Sequence, residues 1–429
     1  MGAQYLLFEG ASPAIEVAAE SSSTFVNNMS LPVHRWFRYS AGFSAEWTKD
    51  VIRGANASGP VRCFDPFAGS ATTLIAAEAL GVESWGIDSH PFVARIAKAK
   101  LAYRSDVAAY QKKTDAIRKR SGNVIPNLST YPKLIRDCFD DAQLSDLDTL
   151  RQAYELEKDD TPASELAWLT LVSILRRVST AGTAQWQYIL PKKKKSAPKR
   201  AIDAFRTCCH TFVEDMRAAG DVIGPRAHFS QSDARTCLGV PDGFANLVVT
   251  SPPYPNNYDY ADATRFEMSF MQEIKGWGCL QESVRQHLVC ACSQHVPEKT
   301  VDLGDVLSSP VLEPILGELS DVCAQLAEIR LTKGGKKTYH LMVACYFRDL
   351  ALAWKSIRRV CDSPSDVCFV IGDSAPYGIY VPVVPWMGRL AIAAGFEAFS
   401  FDKTRDRNVK WKNRKHRVPL QEGRLWVKG

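Results

Sequence analysis

A short apolar run, Val61 to Phe64, ends in Asp65-Pro66-Phe67-Ala68-Gly69-Ser70, and from Ala71 the chain reads as a helix to Leu80, with Gly81 as its C-terminal cap. A second strand pattern, Val82 to Ile87, ends in Asp88, and His90 to Lys100 is helical again. Strand, glycine turn, helix, strand, acid, helix is the opening of a doubly wound α/β sheet. A glycine in the first turn lets a ligand lie against backbone where a Cβ would block it. The free N–H groups at the start of the next helix face the same place. Asp88, 23 positions after Asp65 and at the carboxyl end of the second strand, is placed to accept the hydroxyls of a ribose. Each feature alone has a plainer reading, an ordinary tight turn and a solvated surface acid.

The rest of the chain divides around this opening. Residues 1–30 are weakly patterned and read as a loose or strap-like N-terminus. Ser44 is a candidate N-cap for a helix running to about Gly54. Residues 1–100 therefore read as a strap and the first part of the α/β domain. Residues 101–225 are rich in helix formers and read as a largely helical insertion containing a basic loop, Lys192-Lys193-Lys194-Lys195, between Pro191 and Pro198. Residues 226–429 return to the α/β pattern, with strands expected at His228–Ser230, Ala245–Thr250, Val367–Ile371, Phe396–Phe401 and Arg424–Val427. Helices are expected at about 259–274, 339–360 and 385–394, while 275–335 reads as irregular and polar. The expected class is α/β, a Rossmann-like doubly wound sheet with a helical insertion.

Composition narrows the partners. With 46% apolar and 23% charged residues over 429 positions, the chain has material for a large core. A net charge of +6 permits a nucleic-acid partner without requiring one. None of the twelve Cys forms a C-x-x-C pair, and the eight His show no ligand spacing, so no metal is expected. No Lys or Arg precedes Arg35, so the n-region of a signal peptide is missing. No apolar run approaches the ~20 residues of a membrane span; the best stretch, Leu166 to Leu175, reads as a buried helix. The expected location is the cytoplasm, at the nucleoid.

The apolar strand Ala245–Thr250 runs straight into Ser251-Pro252-Pro253-Tyr254. Two successive prolines remove two donors and fix φ twice. The product is a rigid turn with outward carbonyls and a tyrosine at its rim. Such a turn serves as plain loop rigidity, or it holds an amino group by two acceptors while a flat ring stacks on the tyrosine.

These segments resemble the amino-methyltransferase family of DNA methylases. Asp65-Pro66-Phe67-Ala68-Gly69-Ser70-Ala71-Thr72 resembles its cofactor motif, D-P-F-x-G-S-G-T, and Ser251-Pro252-Pro253-Tyr254 matches its catalytic S-P-P-Y. Ser232-Asp233-Ala234-Arg235 resembles the G-D-A-R lead-in, and Arg38-Tyr39-Ser40-Ala41-Gly42-Phe43-Ser44 resembles the segment that closes over the methionine end of the cofactor. The chain departs from the pattern at Ala71, where the family has a third glycine, and it places the cofactor motif before the catalytic one.

The resemblance implies S-adenosylmethionine as cofactor, bound by Asp65, Pro66, Phe67, Ala68, Gly69, Ser70, Thr72, Asp88, Asp233, Phe43 and Ser44. It implies catalysis by Ser251, Pro252, Pro253 and Tyr254 on a base flipped out of double-stranded DNA, and a cognate restriction endonuclease system as partner. Ser before Pro-Pro goes with cytosine N4 in the family, and Asp or Asn with adenine N6; nothing in the residues themselves excludes adenine. Asn257 and Tyr258, in the run Asn256 to Tyr260, are candidate base contacts or a polar helix entry capped by Asp259. Lys192, Lys193, Lys194 and Lys195 are candidate phosphate contacts or a solvated loop, as is the basic stretch Lys403 to Arg417. Gly372-Asp373-Ser374 ends a strand on the face of the S-P-P-Y turn. The segments 101–225 and 275–335 are both candidates for target recognition. Competing readings are an RNA base methyltransferase, a protein-glutamine methyltransferase, against which Ser251 argues, and a non-catalytic DNA- or cofactor-binding regulator.

Overall fold

The computed structural model describes residues 25–39, 42–184, 188–195, 199–219, 222–296, 301–335, 337–407 and 418–429. Nine strands are described: β1 Arg62–Asp65, β2 Glu83–Asp88, β3 Ala181–Thr183, β4 Ile189–Lys194, β5 His228–Gln231, β6 Ala245–Thr250, β7 Cys361–Gly372, β8 Ala398–Arg407 and β9 Leu420–Lys428. Seven form one sheet in the order β5-β2-β1-β6-β7-β9-β8. The first five run parallel, and β9 lies antiparallel to both β7 and β8.

The chain fills the sheet outward from β1 through β2 to β5, then starts again at β6 on the other side of β1 and proceeds to β7. Strand order therefore reverses between β1 and β6. In open α/β sheets the crevice outside the carboxyl ends of such strands is where ligands bind. Asp65 closes β1, Asp88 closes β2, and Ser251 follows the last residue of β6.

Alternation along the strands sends successive side chains to opposite faces, and both faces are covered. On one, the helices Ala45–Ser58 and Thr72–Glu78 pack Trp47, Val51, Ile52, Ala76 and Ala77 against Cys63, Leu247, Val249, Cys368 and Val370. On the other, Tyr339–Val360 and Val383–Ala393 pack Trp354, Ile357, Trp386 and Met387 against Phe64, Val248, Val367, Phe369 and Ile371. Trp354 stacks on Phe369 with ring centroids 4.3 Å apart.

Between β2 and β5 the chain builds a helical layer with its own core. Val107–Ser121, Asp141–Glu157, Pro162–Val178 and Ala201–Ala218 are its long helices, packed beside Pro91–Leu101. The Leu166–Leu175 stretch lies buried within the third, which Thr161 caps through the Ser164 N–H at 3.3 Å. Asp215, on the last of these helices and 2% exposed, accepts hydrogen bonds from the Val33 N–H at 3.0 Å, Arg35 Nε at 3.1 Å and Trp36 Nε1 at 2.7 Å. Trp36 stacks on Phe212 at 4.1 Å. The N-terminal strap is thus fastened to the helical layer just before it reaches Tyr39.

Three expectations are corrected. Lys192 to Lys194 are not loop: they form the outer part of β4, which pairs antiparallel with β3. The pairing supplies backbone partners that a lysine run by itself does not announce. Segment 275–335 is not irregular throughout: among its described residues it contains the helix Leu316–Ile329, whose Leu319, Cys323 and Leu326 recur at helical spacing and are fully buried. Ala71 does not start a helix in the right-handed conformation. It sits at φ 67, ψ 32, left-handed and fully buried, as N-cap of Thr72–Glu78. An L-residue there carries roughly 1–2 kcal/mol of strain that glycine avoids.

Candidate active site

The three loops that follow β1, β2 and β6 converge on one cleft. Pro66, Phe67 and Gly69 line it from the first, Asp88 and His90 from the second, and Ser251 and Pro253 from the third. Tyr39 closes it from the strap, and Ala234, Tyr260, Leu288 and Val289 complete the wall.

Asp65, the last residue of β1, is fully buried behind the first loop and does not itself line the cleft. Its Oδ1 accepts from Thr250 Oγ1 at 2.5 Å and from the Phe67 N–H at 3.1 Å, while no partner reaches Oδ2. Burial pushes its carboxyl up to about 6, against the opposing pull of the Thr250 and Thr73 hydroxyls. Asp88 is held by the Gly69 N–H at 2.9 Å and the His90 N–H at 2.8 Å. Burial raises it to about 6 as well, against those two bonds. Gly69 adopts φ 52, and a Cβ there would stand 2.9 Å from the Tyr39 ring. Left-handed backbone and a close aromatic cover both require glycine at this turn. Gly86 serves the layer beneath: a Cβ on it would meet Leu74 at 2.6 Å and Ala68 at 3.1 Å.

The Ser251-Pro252-Pro253-Tyr254 turn is fastened to β7. Ser251 Oγ donates to the Val370 carbonyl at 3.1 Å, and Tyr254 donates its hydroxyl to the same carbonyl at 3.2 Å. Ser374, just beyond β7, donates to the Pro255 carbonyl at 2.6 Å. Gly372-Asp373-Ser374 thus stands beside the turn, as its place at a strand end suggested. Past the turn, Asn257 at φ 63 accepts from Ser293 N at 2.9 Å and Ser293 Oγ at 2.7 Å. Asp259 caps the helix Tyr260–Phe270 and is bound by Arg285 at 2.6 Å.

Other residues singled out in the sequence have different surroundings. Ala68, Ser70 and Thr72 are buried behind the first loop rather than at the cleft wall. Ser44 caps the helix Ala45–Ser58 through the Trp47 N–H at 3.3 Å, and Phe43 packs edge-on to Trp47 at 5.9 Å. The strap residue at the cleft is Tyr39. Asp233 pairs with Arg235 at 2.6 Å, and its neighbour Ala234 lines the cleft instead. Tyr258 is 6% exposed, edge-on to Tyr260 at 4.5 Å. Asn257 spends its side-chain oxygen on Ser293. Lys192 to Lys195 are exposed on the ribbon, where Lys194 Nζ donates to the Asp137 carbonyl at 2.7 Å and Lys195 Nζ to the Arg176 carbonyl at 2.6 Å. Of the basic stretch Lys403 to Arg417, residues 408–417 lie outside the described residues.

Sequence reading missed His90 and the pair Leu288-Val289. His90 opens a helix two positions after Asp88, a signal that was available; its Nε2 lies 3.0 Å from Thr264 Oγ1, and burial lowers it to about 4. Leu288 and Val289 carry no signal, being apolar residues brought in by tertiary packing. All twelve cysteines are unpaired thiols, and none lines the cleft among the described residues. Among those residues no three His, Cys, Asp or Glu come together as a metal-holding group, and no helix is long and apolar enough to cross a membrane.

No family model matches the chain, and no solved structure matches it. Curated proteins do. The chain is 24% identical over 412 residues to the type II methyltransferase M.BsoBI of Geobacillus stearothermophilus, covering 86% of this chain and 80% of that one. It is 23% identical over 407 residues to the type II methyltransferase M.AvaI, both from Nostoc sp. (strain PCC 7120) and from Anabaena variabilis, covering 87% of this chain and 81% of theirs. The chain is thus similar to these type II methyltransferases along most of its length.

Proposed function

We propose that the protein is a site-specific DNA methyltransferase that uses S-adenosylmethionine to methylate the exocyclic N4 amino group of cytosine. The observation that carries this reading is one cleft lined on one side by Pro66, Phe67, Gly69 and Asp88 and on the other by Ser251 and Pro253, with Asp65 buried at the end of β1 beneath the first loop.

The residues fit the cofactor. Asp65 Oδ2 is a buried acceptor with no partner, and the methionine ammonium supplies one. Asp88, steadied by two backbone donors, keeps acceptor capacity for the ribose hydroxyls. Tyr39 over Gly69 covers the space between. When bound, the cofactor supplies an electrophilic methyl group on a sulfonium.

The chain's own residues prepare the acceptor. An exocyclic amino nitrogen is a weak nucleophile because its lone pair is delocalised into the ring. Ser251 donates its proton to the Val370 carbonyl, which turns its oxygen lone pairs toward an incoming N–H. The Pro252 carbonyl is the second acceptor, and two accepted hydrogen bonds localise the nitrogen lone pair. Tyr254, pinned by its hydroxyl, offers a fixed ring for the flipped base to stack on. Catalysis is then positioning and electrostatic complementarity, with no covalent enzyme intermediate. The N4 assignment rests on Ser251 before Pro-Pro; double-stranded DNA and a companion restriction endonuclease are the partners this reading implies. Asp233 and the lysines of the β3–β4 ribbon remain candidate contacts to cofactor and phosphate.

Transfer of labelled methyl groups to unmethylated DNA, to tRNA and to protein tests the substrate class. Label in DNA supports the reading. Label in RNA or protein alone, or cofactor binding with no transfer to any of the three, overturns it.

A further inference from the structure

A second cavity, of about 210 Å³, lies on the far side of the catalytic turn. Ser251 and Pro253 face the cofactor cleft, whereas Pro255, Asn256 and Asn257 face this one. Tyr254 stands between them. Tyr339 and Tyr377, edge-to-face at 4.7 Å, form an aromatic wall of the second cavity, and Arg407 forms another.

Arg407 is held unusually firmly for an arginine at a strand end. It is 17% exposed, donates from Nη1 to the Asp373 carbonyl at 2.9 Å, and pairs through Nε with Glu422 at 3.5 Å. Gly372 makes room for it: a Cβ there would stand 3.2 Å from both Cδ and Nη1. Its guanidinium carbon lies over the Tyr254 ring, 5.2 Å from the centroid. That distance is a cation–π contact, which falls within about 6 Å of a ring centroid. A planar, permanently charged fork of donors is therefore fixed beside the ring on which the acceptor base stacks.

We propose that Arg407 is a specificity-determining residue, reading the ring N3 and 2-carbonyl of a target cytosine whose amino group is held at Ser251. This rests on the cytosine reading above. Beside its amino group cytosine carries two adjacent acceptors, N3 and then O2. Adenine carries one, N1, followed by a C–H. A guanidinium fork satisfies both cytosine acceptors and leaves one donor unpaired against adenine, and a buried unpaired donor is the strong form of discrimination. The geometry thus supplies what the turn sequence lacks, a physical ground for cytosine over adenine.

The test uses the full chain and a duplex carrying its mapped target site, with the target cytosine intact or replaced by a 2-aminopyridine C-nucleoside, which keeps the amino group and ring nitrogen and lacks the 2-carbonyl. Wild type is expected to lose roughly 10- to 100-fold in kcat/KM on the analogue. Arg407→Met is expected to lose a similar factor on cytosine, with S-adenosylmethionine affinity unchanged, and to treat the two duplexes alike. Wild-type transfer to the analogue at the cytosine rate overturns the proposal without needing a variant that folds. A loss in Arg407→Met that is equally large on both duplexes also overturns it, and assigns the residue to a phosphate or to the fold. Failure of wild type on the cytosine duplex itself is a separate result, which removes the methyltransferase reading.

Discussion

Asp65 and Asp88 end neighbouring strands, and burial lifts both carboxyls from the ordinary aspartate range to about 6. A carboxyl raised in the fold penalises the ionised form, so the free protein loses stability as pH rises from about 4 to about 6. Cofactor binding has the opposite sign, because ionised Asp65 is the form that accepts an ammonium. Affinity for S-adenosylmethionine is therefore expected to be full above pH 6 and to fall by up to tenfold per unit below it. Asp65→Asn should weaken binding at pH 8 by roughly 10- to 100-fold, the worth of a hydrogen bond to a charged group, and flatten the pH dependence. Calorimetric titration from pH 5 to 8 measures both, and an unchanged slope in the variant would remove Asp65 from the ammonium site. Ser251→Ala should leave cofactor affinity intact and lower kcat by about 10²-fold, the usual effect of losing one preorganised group; single-turnover rates at saturating cofactor decide it. At this scale the sequence is informative where a residue type is required by geometry, as at Gly69, and where a motif ends or follows a strand, as at Asp88 and Ser251. It is silent where tertiary packing chooses, as at Leu288, and Ala71 shows a required conformation filled by a residue that pays for it.

The elements depend on ties the local pattern does not display. The strap residues Val33, Arg35 and Trp36 all donate to Asp215, which lies about 180 positions away on another helix. Removing that carboxylate strands two or more buried donors, at a cost of about 3–5 kcal/mol. Asp215→Ala should lower Tm by several degrees and weaken cofactor binding, because the strap carries Tyr39 over Gly69. A normal melting temperature would show that the strap is held by other means. The β3–β4 ribbon is not legible in the sequence, because a lysine run between Pro191 and Pro198 reads as a basic loop and its partner strand is only three residues long. Lys194 and Lys195 are occupied by carbonyls, so Lys192 and Lys193 are the better phosphate candidates. Replacing both by Ala should reduce the slope of log affinity for DNA against log salt by about 1 per lysine with kcat preserved. An unaltered slope would leave the ribbon away from DNA. By contrast the helix Tyr339–Val360 and the core strands were readable, since long periodic or uninterrupted apolar runs leave little choice of structure.

For the whole molecule, the reversal of strand order between β1 and β6 brings together segments some 185 residues apart, and the helical layer between β2 and β5 is accommodated without disturbing that crevice. The two short motifs were legible as chemistry, and their junction in one cleft follows from sheet topology that neither motif encodes. The proposed nucleophile is the nitrogen of an amino group held by Ser251, and among the described residues no cysteine lines the cleft. That chemistry specifies the product. Nucleoside mass analysis of DNA methylated by the purified protein should yield N4-methylcytosine. N6-methyladenine would contradict the assignment of the base while keeping the turn chemistry, and 5-methylcytosine, whose formation needs a covalent nucleophile on the enzyme, would contradict the account itself.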